Sequence, residues 1–362
     1  MRGTIPMFDV AIIGAGPAGA TLARLIGERF SVLLIEKRAL ADGEPGPFPT
    51  KCCGGLLAPD AQEMLGRLGL GLPQELLTDP QLFVIRVIDI PSGLERYYQR
   101  FYLNIDRERF DRWLVSLVSG RVDVRCSAEF KSFERGKEYA TVRFTHEGRN
   151  CSEKAKLIIG ADGASSRVRA GVSGAARAVR RYIAVQEWLP VKKTPPYFSI
   201  IFDPDITDFY AWTIPKKDML LVGAALEPKR ETSARFAALK EKLRAHGYRF
   251  GEPVRREGVP LVRPAAPGQT CTGEAGVGLI GEAAGWISPS SGEGLSYALK
   301  SALLAARALQ DGLEGFHRDY FLKTRSLRRN IRLKNLKSCV LYNPLLRALV
   351  MRTGIRSIDV VR

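Results

Sequence analysis

Phe8-Asp9-Val10-Ala11-Ile12-Ile13 runs straight into Gly14-Ala15-Gly16-Pro17-Ala18-Gly19, and Leu22, Leu25 and Ile26 then recur at helical spacing up to Gly27. Ser31-Val32-Leu33-Leu34-Ile35 follows as a second apolar run of strand length, closed by Glu36-Lys37. The order is strand, glycine turn, helix, strand, terminal acid. In that order each glycine has a physical reason. Gly14 makes the tight turn, Gly16 lets a pyrophosphate approach the backbone, and Gly19 lets helix and strand touch. Pro17 and Ala18 open the helix, whose N-terminal N–H groups and positive dipole end attract phosphate. Glu36, about twenty positions beyond Gly14, sits where an acid accepts hydrogen bonds from a ribose carrying a free 2′-OH. A dinucleotide site over Gly14, Gly16, Pro17, Ala18, Gly19, Glu36 and Lys37 is the expectation. The glycines alone leave open which dinucleotide it takes.

Around this segment the chain reads as ordinary globular protein. It has 362 residues, 45% apolar and 26% charged, enough for two domains. No run approaches the roughly 18 apolar residues of a spanning helix, and the N-terminus is not a cleavable signal, so a cytoplasmic protein is expected. Six cysteines are too few for a disulfide scaffold and match no zinc ribbon; His146, His246 and His317 are the only histidines. A metal site and a histidine triad are therefore not expected. The formal charge is +17, from 55 Lys+Arg against 38 Asp+Glu, and it is concentrated from Arg318 onward, where twelve Lys/Arg face two Asp/Glu. No finger spacing or aromatic-basic platform accompanies it, so nucleic acid is not expected.

Pro and Gly crowd Asp42 to Pro59, a loop, before helical spacing at Ala61–Leu68. Runs at Phe83–Ile90 and Tyr97–Leu103 flank Pro91-Ser92-Gly93 as a hairpin, and a helix follows from about Arg107 to Val118. Tyr182 to Val262 is mostly β, interrupted by a charged helix near Thr232–His246.

Two later stretches choose the dinucleotide. Leu157–Gly160 enters Ala161-Asp162-Gly163-Ala164-Ser165-Ser166-Arg167. Gly278-Leu279-Ile280-Gly281-Glu282-Ala283-Ala284-Gly285 is followed by Pro289 and Gly292-Glu293-Gly294-Leu295. In this order the chain resembles the FAD-dependent p-hydroxybenzoate hydroxylase superfamily. That resemblance implies FAD, with the ADP half on the first glycines. It implies that Asp162 and Gly163 buttress the site, and that Gly281 to Leu295 meets the ribityl chain and flavin ring. Arg107 matches the R-x-x-F-D-x-x-L pattern of that superfamily, whose Arg contacts FAD. An acid at 282 accepts ribityl hydroxyls, and Gly292, Gly294 and Leu295 offer helix-start N–H groups to negative charge on a reduced flavin. Where the superfamily has Gly-Asp, this chain has Gly281-Glu282, so the carboxylate must fold back or reach the ribityl oxygens differently.

Within that superfamily the chain resembles the geranylgeranyl reductases, which saturate isoprenoid double bonds. Lys51-Cys52-Cys53-Gly54-Gly55 is similar to their cysteine-glycine-glycine loop near the flavin, and Tyr210-Ala211-Trp212-Thr213-Ile214-Pro215-Lys216-Lys217-Asp218 to their Y-x-W-x-F/I-P-K-x-D segment. The expected fold is mixed α/β: a Rossmann-like FAD-binding domain (7–80, 104–181, 263–312), an inserted antiparallel substrate sheet (81–103, 182–262), and a basic helical region (313–362). Cys53 either supplies a proton or gates flavin movement, or is a plain buried cysteine. Cys52 has no role beyond a substitute. With Cys53, the loop residues Gly54 and Gly55, the aromatic pair Tyr210 and Trp212, and Pro215 form the substrate set; the pair shares a face that suits an isoprenoid chain or is ordinary sheet core. Pro215 and Lys216 shape a turn. An external donor, NAD(P)H or ferredoxin, is implied. The basic stretch 318–340 reads as a helix able to rest on anionic membrane. Two other readings stay open: a flavin-dependent monooxygenase of an aromatic or polyketide substrate, and a non-catalytic FAD protein that binds lipid or quinone.

Overall fold

The computed structural model describes residues 7–40, 51–172, 179–229, 231–266 and 268–360. The part of the Asp42–Pro59 loop up to Thr50 lies outside them. In chain order the elements are β1 (Met7–Ile13), α1 (Pro17–Ile26), β2 (Val32–Ile35), β3 (Leu56–Leu57), α2 (Pro59–Arg67), β4 (Leu82–Asp89), β5 (Leu94–Asn104) and α3 (Arg107–Ser116). They continue with β6 (Asp123–Arg125), β7 (Ala128–Arg135), β8 (Ala140–His146), β9 (Arg149–Gly160), α4 (Arg167–Ala170), β10 (Arg180–Pro190), β11 (Phe198–Phe202), β12 (Ala211–Lys216) and β13 (Met219–Leu226). The remainder is α5 (Thr232–Ala245), β14 (Arg255–Arg263), β15 (Gly273–Glu274), β16 (Val277–Leu279), α6 (Leu295–Ala308), α7 (Phe316–Lys323), α8 (Arg325–Leu341) and α9 (Pro344–Thr353).

These elements fall into two compact units. The first comprises residues 1–50, 108–180 and 262–334, and the second 51–107, 181–261 and 335–362. In the first, β16, β9, β1, β2 and β6 run parallel in that order, with β15 antiparallel at the edge. Val10–Ile13 and Val32–Ile35 are fully buried, as expected of parallel strands covered on both faces. The β7–β8 hairpin pairs with the first half of the long β9, whose second half pairs with β1. Helix α6 packs on α1. It buries Ala298, Ala302, Ala305 and Ala308, small residues that let the two backbones approach.

The second unit is one sheet in the order β14-β10-β13-β12-β11-β4-β5-β3. It is not wholly antiparallel as expected, because β11 pairs parallel with β4. Side chains alternate between its faces, as period two requires. One face buries Ile201, Ala211, Val222 and Ala224 under Phe236, Leu239 and Leu243 of α5. The other carries Trp212, Ile214, Leu221 and Ala225, rimmed by half-buried Leu56, Tyr102, Trp188, Ile200 and Tyr210.

The boundaries of these units differ from the expected ones at residues 51–80, 104–107 and 313–362. The segment from Lys51 to residue 80 groups with the sheet, because β3 pairs with β5 and the Ile105 N–H donates to the Gly55 carbonyl. Residues 313–362 form no third unit: they divide at Lys334 between the two.

Candidate active site

Gly14 adopts φ +101°, and a Cβ there would meet the Ala161 carbonyl oxygen at 2.6 Å. A Cβ on Gly19 would lie 1.8 Å from the Gly14 oxygen. Gly16 is different, since a Cβ there meets nothing within 4 Å. Gly16 caps α1 without any side-chain acceptor, and Pro17 fills the position whose missing N–H costs least. The first-turn N–H groups of α1 therefore have no side-chain cap, and the space beside Gly16 is open. This is a cradle shaped for an anionic group pressed against backbone.

Glu36 ends β2 in the expected place, buried and firmly held. Its carboxylate accepts the Ala15 N–H at 2.8 Å, and both the backbone N–H and the Nε of Arg38 at 3.0 Å. Burial pushes its pKa up, but the Arg38 charge and these donors outweigh burial and hold it below the ordinary carboxylate value. Arg38 also pairs with buried Asp111 at 2.8 Å. Sequence reading missed Arg38 and Asp111, although Asp111 lies inside the quoted R-x-x-F-D pattern. Together they fix the acid that the adenosine ribose would meet. Lys37 points to solvent.

Asp162 acts as a local brace. It accepts Ser166 Oγ at 2.5 Å and the N–H groups of Arg167 and Val168 at 2.8 and 3.2 Å, tying the Ala161–Gly163 turn to α4. Burial raises its pKa despite these donors. Gly163 takes φ +77° in that turn.

Gly281 takes φ +57°, with Ala18 2.9 Å from its would-be Cβ, so the turn after β16 presses on α1. Glu282 Oε1 accepts the Val262 N–H at 3.3 Å. The Pro289 carbonyl accepts Arg263 Nε at 2.9 Å. Of the expected donors, the Gly292 N–H is already given to Ser288 O at 2.9 Å. Gly294 caps α6 with no side chain, so the N–H of Leu295 has no acceptor within the helix.

The second unit gathers a different chemistry. Gly55, at φ +60°, turns the loop so that its own N–H donates to Cys53 Sγ at 3.5 Å. Arg107, buried at the start of α3, donates from Nη1 to the same sulfur at 3.2 Å. Burial pushes the Cys53 thiol up. Arg107, the Gly55 N–H and Lys51 outweigh that, and its pKa lies below the ordinary thiol value. Cys52 is the opposite case, buried, donating to the Ala184 carbonyl at 3.6 Å, and pushed far up by burial.

Lys216 does more than shape a turn, which Lys217 makes at φ +53°. Its buried Nζ donates to the Gly55 and Ile105 carbonyls at 3.2 and 2.8 Å. It thus clamps the Cys53 loop to the strand end that precedes Arg107. Burial lowers its pKa to about 7, against smaller opposing effects of Cys53 and Asp106. Asn104 Nδ2 donates to the Pro215 carbonyl at 2.8 Å and ties the same strands. A Cβ on Gly54 would meet Ile214 Cδ1 at 2.5 Å, so a side chain there requires the end of Ile214 to move. Tyr210 and Trp212 lie side by side, ring centroids 5.6 Å apart, and the Trp212 indole covers Gly223 of the next strand. Trp212 Nε1 is buried and has no hydrogen-bond partner among the described residues.

Comparison with known proteins places this geometry, since residues 7–256 match the FAD binding domain family. The chain belongs to that family. Protein CbrA of Escherichia coli O9:H4 (strain HS) is 39% identical over 351 residues, covering 97% of this chain and 94% of CbrA. CbrA of Shigella sonnei (strain Ss046) is also 39% identical, with 97% and 98% covered. Among solved structures, a geranylgeranyl bacteriochlorophyll reductase-like protein from Thermoplasma acidophilum superposes with TM-score 0.81 at 20% identity, over 96% of this chain and 91% of that one. The flavin-dependent halogenase CmlS gives 0.69 at 20% identity, over 91% and 64%. PqsL of Pseudomonas aeruginosa, a probable FAD-dependent monooxygenase, gives 0.68 at 19%, over 96% and 100%. These likenesses establish a shared fold.

As a member of the FAD binding domain family the chain is an FAD-dependent oxidoreductase, and the first unit fits the cofactor. The open space over Gly16 and the uncapped α1 suit the pyrophosphate, and rigidly held Glu36 suits the ribose. The structure brings Gly14 to Gly19, Glu36, Asp162–Gly163 and Gly281–Leu295 together in that unit. It brings Cys53, Gly54, Gly55, Arg107, Tyr210, Trp212 and Pro215 together in the other. Arg107, expected on FAD, hydrogen-bonds Cys53.

Proposed function

We propose that this flavoprotein reduces isolated C=C bonds of an isoprenoid, lipid-like substrate. The observation that carries the reading is the Cys53–Arg107 hydrogen bond beside an apolar, half-buried sheet face. Saturating an alkene adds a hydride to one carbon and a proton to the other. Bound FAD in its reduced form supplies the hydride. Cys53 supplies the proton, and the thiolate left behind is held by the Arg107 guanidinium and the Gly55 N–H. Lys216 keeps donor and partner in register. Tyr210, Trp212, Tyr102 and Leu56 offer aromatic and aliphatic surface without charge, which suits a methyl-branched hydrocarbon and excludes water from it. The fold shared with the geranylgeranyl bacteriochlorophyll reductase-like protein supports the reading.

The test is single turnover. FAD-loaded protein, chemically reduced without oxygen, is mixed with geranylgeranylated lipid, and products are read by mass. A gain of two hydrogens per bond, abolished in Cys53→Ala while FAD stays bound, is expected. Gain of an oxygen atom on admitting air points instead to a monooxygenase, and no mass change in any prenyl lipid overturns the proposal.

A further inference from the structure

Helix α9 is amphipathic in the reverse sense from a soluble surface helix. Its inward side buries Arg347, which pairs with buried Asp89 at 2.7 Å, donates to the Leu341 carbonyl at 3.0 Å and lies over the Phe202 ring at 4.6 Å. Met351 is buried beside it, and Arg96 Nε holds the Met351 carbonyl at 2.8 Å. The chain beyond is pinned where the Ile358 N–H donates to the Tyr97 carbonyl at 2.8 Å. The helix is therefore fixed in place with a charge inside and hydrocarbon outside. Leu345, Leu346, Leu349 and Val350 share the outward side, 82%, 44%, 61% and 50% exposed, and Ile355 follows at 68%. Contiguous exposed aliphatics on a rigid element mark a docking surface.

Charge selects the occupant. Lys337, Arg352 and Arg356 are exposed on and near this helix, and Asp359 is the acid among residues 335–362. A second copy of a chain carrying +17 brings like charge to the same patch. An anionic bilayer brings the opposite charge at the headgroups and hydrocarbon just below, the two layers in which basic and aliphatic side chains partition. No helix among the described residues is long and apolar enough to cross a membrane, so the contact is one of lying on the surface. We propose that the outward side of α9, with Leu345, Leu349 and Ile355 as the inserted groups, seats the protein on anionic lipid. The sequence points to 318–340, where basic and apolar residues interleave; α9 adds a further exposed apolar face beyond that stretch.

The experiment is co-sedimentation of the full, FAD-loaded chain with phosphatidylglycerol-containing vesicles and with pure phosphatidylcholine vesicles, at low and high salt. The variants are Leu345→Glu/Leu349→Glu and Arg352→Glu/Arg356→Glu. All four positions are exposed, and an unchanged melting temperature and bound FAD confirm the fold. Expected is salt-sensitive binding to the anionic vesicles, reduced tenfold or more by each double variant. Wild-type protein that ignores anionic vesicles overturns the proposal. So does a leucine variant that binds as well as wild type, or a wild-type dimer that the leucine variant dissociates.

Discussion

Arg107 and Cys53 lie more than fifty positions apart in sequence, yet the Arg107 guanidinium donates to the Cys53 sulfur at 3.2 Å. This contact helps to separate the two adjacent cysteines chemically, because Cys52 is buried, donates to the Ala184 carbonyl and is pushed up by burial. A charge-assisted hydrogen bond contributes about 1.5–3 kcal/mol. Arg107→Met is therefore expected to raise the Cys53 thiol toward its ordinary value and slow its alkylation by iodoacetamide at neutral pH roughly tenfold or more. Arg107→Lys restores part of the rate. Peptide mass mapping against pH reads it, and an identical profile in wild type and Arg107→Met contradicts the assignment.

Lys216 gives a prediction with a definite sign. Its folded pKa is about 7, while the ordinary lysine value is 10.5. Between those limits the unfolded chain binds a proton that the folded chain does not, so stability from this group rises with pH across that window. Below it, both states are protonated and the burial penalty is felt in full. The difference in urea midpoint between wild type and Lys216→Met should change in favour of wild type as pH increases from 6 toward 10, in a range set by those two values. A difference independent of pH shows that Lys216 titrates normally.

The glycines of the turn should respond differently to substitution. A side chain at Gly16 meets open space, so Gly16→Val should leave the melting temperature of cofactor-free protein unchanged while weakening FAD binding at least tenfold. At Gly19 the added carbon collides with the Gly14 oxygen, so Gly19→Ala should lower that melting temperature. Calorimetry with and without FAD distinguishes them, and equal effects of the two on stability would argue against the cradle.

Removing Arg347 strands a buried carboxylate. Arg347→Ala leaves Asp89, only 1% exposed, without its cation and should cost about 3–5 kcal/mol in denaturant unfolding. Replacing both partners by apolar residues of similar size should recover most of the loss.

The glycine turn, the strands around it, the acid at Glu36 and the later Gly-rich turns were legible because each is encoded over a few consecutive residues. The same holds for the helices after Gly294. What was not legible depends on long-range closure. Arg38 meets Asp111, Lys216 meets Gly55 and Ile105, and Arg347 meets Asp89 only once distant strands are paired. The parallel β11–β4 pair belongs to the same class, since an alternating pattern states the face of a strand but not its neighbour's direction. Lys216 shows the limit best: beside a proline it reads as part of a turn, and burial alone reveals a clamp.

The Trp212 indole lies directly over Gly223, and its buried N–H has no acceptor among the described residues. The ring is thereby a built-in optical gauge. Its emission is poised to shift when the surface fills, and comparison with Trp212→Phe would isolate that signal from the other tryptophans. Occupancy of the sheet can thus be followed in solution before any substrate has been turned over.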